Sequence, residues 1–235
     1  MNRKSNTRLH FIEIWRGDAG LSALLVLLSL LIFIVGPLRT QGLVHGWFPD
    51  ICFAMFALVG VLIITEQPRA AWAGGALALV AIALTMGHRQ MPSVTAHVMR
   101  NVLMEAYLAM LAWGIIHQVL RPGPVNAHRI MGAVVVYLLL GLIWAQSYDL
   151  IEQLAPGSFA AIGSTSAAEW SGFLYFSLVT LTTVGYGDIS ATGAIARSLA
   201  TAEAVVGQLF PTILIARLVS QALQAKGRSG QDRHS

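Results

Sequence analysis

Residues 182–188 read Thr-Thr-Val-Gly-Tyr-Gly-Asp, and they directly follow a short apolar piece, Trp170–Thr182. At average residue usage, the pentapeptide at 183–187 would arise by chance in a chain this long with a probability on the order of 10⁻⁴. Gly185 and Gly187 alternate with larger residues, and glycine reaches positive φ angles without a Cβ clash. The stretch therefore predicts a loop whose backbone can alternate between conformations of opposite hand.

The composition is that of an integral membrane protein. Of the 235 residues, 56% are hydrophobic and only 11% are charged, whereas soluble domains carry roughly 25% charged residues. The net charge of +4 comes from basic residues at the ends of apolar segments, as orientation signals do. Clustered basic residues with interleaved aromatics are lacking, which argues against nucleic-acid binding. The apolar segments carry no His-x-x-x-His pair for a metal, which argues against an enzyme.

Six apolar segments predict membrane-spanning helices, because each has roughly the length that a hydrocarbon core of ~30 Å requires. The piece Trp170–Thr182 is too short to span and predicts a re-entrant helix buried in protein. The six predicted spans are Leu21–Val35 (closed by Gly36-Pro37), Trp47–Thr65, Ala70–Met86, Val102–Leu120, Ile130–Ala145 and Ala194–Ala222.

The distribution of basic residues predicts that both termini lie in the cytoplasm. With the N-terminus inside, 11 of the 15 Lys and Arg residues fall on the cytoplasmic side, as the positive-inside rule expects. We therefore expect a multi-pass protein of the cell membrane. Its predicted parts are a cytoplasmic segment at 1–18, a peripheral four-helix membrane domain at 19–121, a second membrane domain at 128–222 that contains the short piece Trp170–Thr182, and a cytoplasmic tail at 223–235.

From about Ile130 to Ser220, the chain resembles the pore module of potassium channels. The resemblance rests on Thr-Val-Gly-Tyr-Gly at 183–187, on Tyr-Phe-Ser at 175–177, on Gly-Asp-Ile at 187–189 and on Ile-Ala-Arg at 215–217. It implies an all-α membrane protein with six transmembrane helices, a re-entrant pore helix and a filter loop, assembled as a homotetrameric pore. Over residues 1–129 the resemblance is one of layout only.

The resemblance also implies the roles of individual residues. Backbone carbonyls would replace the hydration shell of a permeant K⁺ ion, and no other cofactor is expected. The carbonyls would come from Thr183, Val184, Gly185 and Tyr186. The residues expected to support this filter are Thr182, Gly187, Asp188, Tyr175 and Phe176.

Within that set, Tyr186 is expected to turn outward and pack against Tyr175 and Phe176, and Asp188 to hydrogen bond into the surrounding structure. Some family members pair this aspartate with a glutamate nine positions earlier. That position is Val179 here, so the pair is absent.

The inner helix carries a predicted bend. Pro211 cannot donate a hydrogen bond to the carbonyl of Gly207, and its ring crowds that carbonyl. The resemblance makes Gly207 and Pro211 a gating hinge, with a fixed kink as the alternative. Glu203, one turn before Gly207, is a candidate for pairing or filter support, because ionisable groups at membrane depth are expensive. Glu105 in the fourth span is a similar group.

The fourth span lacks the arginine pattern of a voltage sensor. A voltage sensor needs an arginine at every third position of the fourth span, but Arg100 is followed at that spacing by Leu103, Ala106 and Ala109. We therefore expect no strong voltage gating.

The stretch 149–169 holds acidic residues and no Lys or Arg. It predicts a vestibule at the extracellular entrance that attracts cations; a merely solvated loop is the alternative. The acidic residues are Asp149, Glu152 and Glu169.

The sequence thus predicts a potassium-selective channel for passive K⁺ transport, with K⁺, the lipid bilayer and further copies of the chain as its partners. The alternative is a non-conducting membrane sensor or regulatory subunit with a pore-like fold. The intact pair of filter glycines argues against that alternative.

Overall fold

A computed structural model of the protein describes residues 18–43, 94–120, 127–162 and 166–231, together with residues 51, 54–60, 75, 76, 79, 80 and 83. The described part is mostly helical. Its elements are α1 (Asp18–Leu30), a π-helical turn (Leu31–Val35), α2 (Gly36–Thr40), α3 (Val94–Val119), α4 (Ala127–Leu154), β1 (Phe159–Ala160), α5 (Ser166–Leu181), β2 (Ser190–Ala191) and α6 (Ala194–Gln231).

Among the described residues, four helical stretches are long and apolar enough to cross a membrane, and they confirm a helical membrane protein. Their bounds are Gly20–Leu38, His97–Val119, His128–Leu154 and Ala194–Arg217. They correspond to the predicted first, fourth, fifth and sixth spans. The predicted second and third spans, Trp47–Thr65 and Ala70–Met86, lie mostly outside the described residues, so the number six stays a prediction.

The first helical stretch runs past the residues expected to close it. Instead of ending at Gly36-Pro37, the chain passes through the π-helical turn and continues as α2 to Thr40. In that turn the N–H of Gly36 donates to the carbonyl of Leu31, five residues back. Proline has no N–H, so it cannot donate the regular α-helical hydrogen bond to the residue four positions before it. The π-helical turn just before Pro37, with its five-residue hydrogen bond, lets the helix continue past this residue. The predicted closure at Gly36-Pro37 was therefore wrong.

Helix α4 is also longer than the predicted fifth span. It continues from the expected end at Ala145 to Leu154, so Asp149 and Glu152 lie on a helix and not in a loop. A turn follows, in which Gly157 adopts a φ of 86°. The two oxygens of the Glu152 carboxylate accept hydrogen bonds from the backbone N–H groups of Gly157 and Phe159, at 2.7 and 3.1 Å.

Helix α4 is the element around which the others pack. Both α1 and α3 pack against it, and α5 packs against α4 and α6. The buried side chains include leucines of α1 and α3, small aliphatic residues of α4 and the aromatic rings around α5. The strands β1 and β2 pair antiparallel, with Phe159 opposite Ala191, and they join the chain before α5 to the chain after residues 182–188. The short helix α5 is thereby held at both ends.

Candidate functional site: the segment after the short helix

The stretch 182–188 turns back over the C-terminal end of α5. The N–H of Thr182 donates to the carbonyl of Leu178 at 3.0 Å, and the N–H groups of Val184 and Gly185 both donate to the carbonyl of Val179, at 2.9 and 3.3 Å. The hydroxyl of Thr182 also donates to the Leu178 carbonyl, at 2.6 Å. These bonds satisfy carbonyls that a helix end leaves without partners. They also tie the start of the loop to the position of α5.

The backbone of the loop alternates in hand. Thr183, Gly185 and Gly187 have φ angles of 61°, 60° and 78°, whereas Val184 and Tyr186 keep negative φ. The sequence indicated the two glycines but not Thr183, because a threonine with positive φ costs free energy that only its surroundings can offset. A Cβ built on Gly185 or Gly187 meets no atom within 4 Å. Backbone conformation, and not space in a single chain, is therefore what favours glycine at these two positions.

An aromatic and acidic group braces the outer part of the loop. The ring of Tyr175 stacks on the ring of Tyr186, with centroids 6.5 Å apart and planes 7° apart. The Tyr175 hydroxyl donates to the Asp188 carboxylate at 2.8 Å. The structure therefore brings Tyr175, Tyr186 and Asp188 together. The side chain of Val179 has no group that could hydrogen bond with Asp188. Tyr175, thirteen positions before the aspartate, forms that hydrogen bond instead.

Phe176 does not lie where the sequence suggested. We expected it to pack against Tyr186, but its ring is buried on the opposite side of α5, against Tyr148 at 5.1 Å and Phe159 at 5.5 Å. The reason is geometric, because consecutive residues of a helix do not share a face. Tyr175 faces the loop, so Phe176 turns inward. Phe176 thus supports the loop only through α5.

Glu203 is the buried acid of this region. Its side chain on α6 is fully buried and accepts a hydrogen bond from Ser177 of α5 at 2.6 Å and a second one from the hydroxyl of Tyr148 of α4. The sequence singled out Glu203 but not its partners. Tyr148 and Ser177 lie 55 and 26 residues away along the chain, and no local pattern predicts contacts over such separations.

Gly207 lies against the end of α5. A Cβ on Gly207 would lie 1.9 Å from the carbonyl oxygen of Leu181, so the backbones of α6 and α5 touch at this point. The same carbonyl accepts a hydrogen bond from the Tyr137 hydroxyl at 2.9 Å, and the Tyr137 ring stacks on Phe210 at 5.8 Å. The helix continues through Pro211. Gly207 is therefore required by close packing, whether or not the helix bends there.

Asp149 does not line an open vestibule. It is buried and accepts a hydrogen bond from Asn101 of α3 at 2.5 Å, and His97 Nε2 lies 3.5 Å from the same carboxylate oxygen. Arg100 donates to the Asn101 side-chain carbonyl at 3.0 Å and contacts His97 at 2.7 Å. Together with Glu152, which is bonded to the following turn, Asp149 thus serves contacts within the chain. The side chain of Glu169 lies outside what the structure describes.

Comparisons with known proteins find similarity over this part of the chain. Residues 132–224 match the model of a family described as "Ion channel". Protein LctB of Bacillus caldotenax is 46% identical over 87 residues, which cover 35% of this chain and 64% of that protein. The inward rectifier potassium channel Kirbac3.1 of Paramagnetospirillum magnetotacticum is 36% identical over 78 residues, which cover 32% of this chain and 23% of that protein.

A second protein LctB, from Geobacillus stearothermophilus, is 46% identical over 86 residues and is covered over 62% of its length. The chain thus spans less than two thirds of each of these relatives. No solved structure matches the chain.

The matched residues coincide with the elements that surround the loop. They run from α4 through α5 and residues 182–188 into α6, and the match to an ion-channel model points to a transport role. Together with the spanning helices, they make the chain a multi-pass membrane protein. The resemblance to potassium channels is supported over this segment, because residues 132–224 match an ion-channel model and the relatives include a potassium channel.

Proposed function

We propose that the protein is a potassium-selective channel that lets K⁺ cross the membrane passively. The observation that carries the proposal is the alternating hand of the loop backbone, with φ near +60° at Thr183 and Gly185 and +78° at Gly187. Alternation of this kind lets successive carbonyls point to one side. Carbonyls are dipoles without net charge, so a ring of them can replace the water around an ion and still release it.

In this proposal the ion is held by the carbonyls of four consecutive residues, Thr183, Val184, Gly185 and Tyr186, and K⁺ is the permeant ion and not a resident cofactor. The identity of the ion is supported by the Thr-Val-Gly-Tyr-Gly sequence. It is also supported by the similarity to a relative that is named as an inward rectifier potassium channel. Thr183 adds a hydroxyl next to its carbonyl and forms the innermost position. Tyr175, Tyr186 and Asp188 keep the loop at a fixed width.

The pore is proposed to be a ring of four copies. One loop supplies only one carbonyl at each level, so an ion surrounded by carbonyls needs several chains around a closed symmetry axis. The exposure of this segment supports the proposal, since every residue from 182 to 188 is exposed in a single chain. Apolar side chains of α6 are exposed as well, among them Val205, Leu209 and Ile213. Contacts with other copies and with lipid would cover these surfaces.

The rest of the ion path is proposed to be a water-filled cavity. Four carbonyl levels cover about 13 Å at roughly 3.3 Å per extended residue, which is less than half of a hydrocarbon core of ~30 Å. The C-terminal end of α5 carries partial negative charge that favours a cation at the inner end of the loop. Both termini are proposed to be cytoplasmic, in the cell membrane, with Gly207 and Pro211 as the hinge of the inner helix.

The proposal is tested by ion flux into liposomes that contain the purified protein. We expect uptake of radioactive Rb⁺, a K⁺ substitute, to exceed uptake of Na⁺ for the wild type. Gly185→Ala should abolish this preference, because a Cβ at φ +60° costs about 1–2 kcal/mol in each copy. Gly172→Ala is the matched control, since its Cβ would meet the side chain of Ile162 at 3.4 Å, an ordinary contact.

Two outcomes would contradict the proposal. Equal and selective Rb⁺ flux through wild type and Gly185→Ala would show that this loop does not select the ion. A folded wild type without any Rb⁺ flux would favour the non-conducting sensor or regulatory subunit.

A further inference from the structure

One buried carboxyl joins all three helices of the pore segment. Glu203 of α6 is fully buried. One of its oxygens accepts a hydrogen bond from Ser177 of α5 at 2.6 Å, and the other accepts one from the hydroxyl of Tyr148 of α4. We call Tyr148, Ser177 and Glu203 the three-helix clamp. Because each residue comes from a different helix, the clamp fixes the position of α5 relative to both of its neighbours.

The clamp lies one helical turn before the loop that leads into the proposed filter. Ser177 lies four positions before Leu181, the last residue of α5. The carbonyl of Val179, between them, accepts the N–H groups of Val184 and Gly185. A shift or rotation of α5 would therefore move the acceptor that holds the first half of the loop. In this way the clamp acts on the filter backbone without touching the ion.

The numbers of hydrogen-bond donors and acceptors in the clamp indicate whether Glu203 carries a proton. The Ser177 hydroxyl lies within hydrogen-bond distance of two acceptors, the Glu203 carboxyl and the Gly141 carbonyl, the latter at 2.8 Å. Tyr148 and Ser177 supply two protons for three acceptor atoms. A proton on Glu203 completes the set: the hydrogen bond between Glu203 and Ser177 then runs from the carboxyl to the hydroxyl, the reverse of its direction with an ionised carboxylate, and Ser177 donates to Gly141.

The surroundings of Glu203 favour the same form. Both hydrogen-bond partners that the structure gives the Glu203 carboxyl group, Tyr148 and Ser177, are uncharged hydroxyl groups. An ionised carboxylate in such a place is expensive unless a cation pairs with it. A neutral carboxylic acid satisfies every polar atom of the clamp without that cost.

We infer that Glu203 is a positioning residue for ion selectivity, and that as a neutral acid it holds the pore helix α5, and through it the filter, at the correct distance from the pore axis. The inference rests on the proposed function. It gives Glu203 a support role that operates behind the pore helix, while Tyr175 holds Asp188 at the outer end.

The test compares Glu203→Leu and Glu203→Gln with substitutions at Glu105. Glu105 is a matched control, because it too is an acid within a span and accepts a hydrogen bond from a serine, Ser147 of α4, at 2.7 Å. That pair joins α3 to α4 and does not involve α5. The readouts are the ratio of Rb⁺ to Na⁺ flux in liposomes and the thermal midpoint of the purified assembly.

We expect Glu203→Leu to lower the flux ratio about tenfold or more, since it leaves the buried Tyr148 hydroxyl without its acceptor and removes the link between α6 and Ser177. Glu203→Gln should keep the ratio within about threefold of wild type, because an uncharged amide can both accept and donate in the same place. Glu105→Leu should lower the thermal midpoint and leave the ratio unchanged. If Glu203→Leu prevents assembly, Tyr148→Phe and Ser177→Ala, which each remove one hydroxyl, should still lower the ratio by a few-fold.

The outcomes separate this inference from the proposed function. A wild type without selective Rb⁺ flux would refute the proposed function and the inference with it. A selective wild type whose ratio is unchanged in Glu203→Leu, or in both single-hydroxyl variants, would refute the inference alone. A ratio as low in Glu203→Gln as in Glu203→Leu would refute the neutral form of the acid.

Discussion

Replacement of Gly207 by alanine is the sharpest test of the packing between the inner helix and the pore helix. The new Cβ would lie 1.9 Å from the Leu181 carbonyl oxygen and 2.7 Å from its carbonyl carbon. Carbon and oxygen atoms in weak C–H···O contacts are about 3.3 Å apart. The two backbones would therefore have to separate by about 1.4 Å. The obstacle is backbone, so no side-chain rotation can relieve it.

The free-energy cost can be estimated from two opposing contributions. Overpacking of a well-packed site costs up to about 3 kcal/mol and occasionally more. Alanine in a helix gains about 1 kcal/mol over glycine. The net destabilisation is therefore about 2 kcal/mol or more per chain. For a domain of this size, each kcal/mol lowers the thermal midpoint by roughly 2–4 °C.

We expect a decrease of about 4–8 °C in the thermal midpoint of the purified assembly, measured by heating and size-exclusion chromatography, together with loss of Rb⁺ flux. Gly141→Ala on α4 is the matched control, because its Cβ would meet Leu178 Cδ2 at 2.8 Å. That atom is the end of a flexible side chain and can move. If Gly207→Ala were as stable as Gly141→Ala, the close contact with Leu181 would be refuted. If it were stable yet failed only to open, Gly207 would act as a hinge alone.

Two further predictions follow from the contacts around the loop and from α3. Tyr175→Phe removes the donor to Asp188 and should weaken the proposed outer end of the loop, seen as faster decay of Rb⁺ flux when external K⁺ is low; an unchanged decay would contradict the bracing role of Tyr175. The slope of conductance against voltage for the reconstituted protein should correspond to about four gating charges or fewer for four copies, against about 12 or more for a full arginine ladder. Arg100 is the one arginine at the expected spacing, and its bonds to Asn101 and His97 connect it to Asp149 of α4. A slope of about ten charges or more would contradict this view.

The features of the fold that the sequence predicted are those with a local physical cause. The length of an apolar stretch shows whether it can cross the membrane. Helices α3, α4, α5 and α6 each cover all or nearly all of one of the predicted apolar segments. The glycines of the loop were also readable, because positive φ favours glycine. By contrast, the end of α4 was misplaced, since Asp149 and Glu152 look like residues of a solvated loop. Their polarity is satisfied by Asn101 and by backbone N–H groups, and the sequence does not indicate those partners.

The first helix and the aromatic residues were also mispredicted, because contacts or backbone changes that the sequence does not show decide their structure. Pro37 looked like a helix end because the regular ladder cannot include a proline, but a π-helical turn shifted the ladder by one residue. Phe176 looked like a partner of Tyr186 because it is adjacent to Tyr175 in sequence. On a helix, adjacency separates two side chains by about 100°, so one of the pair had to face the buried side.

The role of glycine at position 207 shows how a resemblance and a structure can explain the same residue differently. The resemblance attributes Gly207 to bending of the inner helix. The structure gives a separate reason, contact with the Leu181 carbonyl, which is also the acceptor of Tyr137. These two reasons are compatible if the bend occurs at Pro211, where the carbonyl of Gly207 has already lost its helical donor. In that arrangement the part of α6 before Gly207, including Glu203, stays fixed against the pore helix, and only the part after Pro211 is free to swing. Opening of the inner end would then leave the filter support unchanged, so Glu203 substitutions should change selectivity and not the opening of the inner helix.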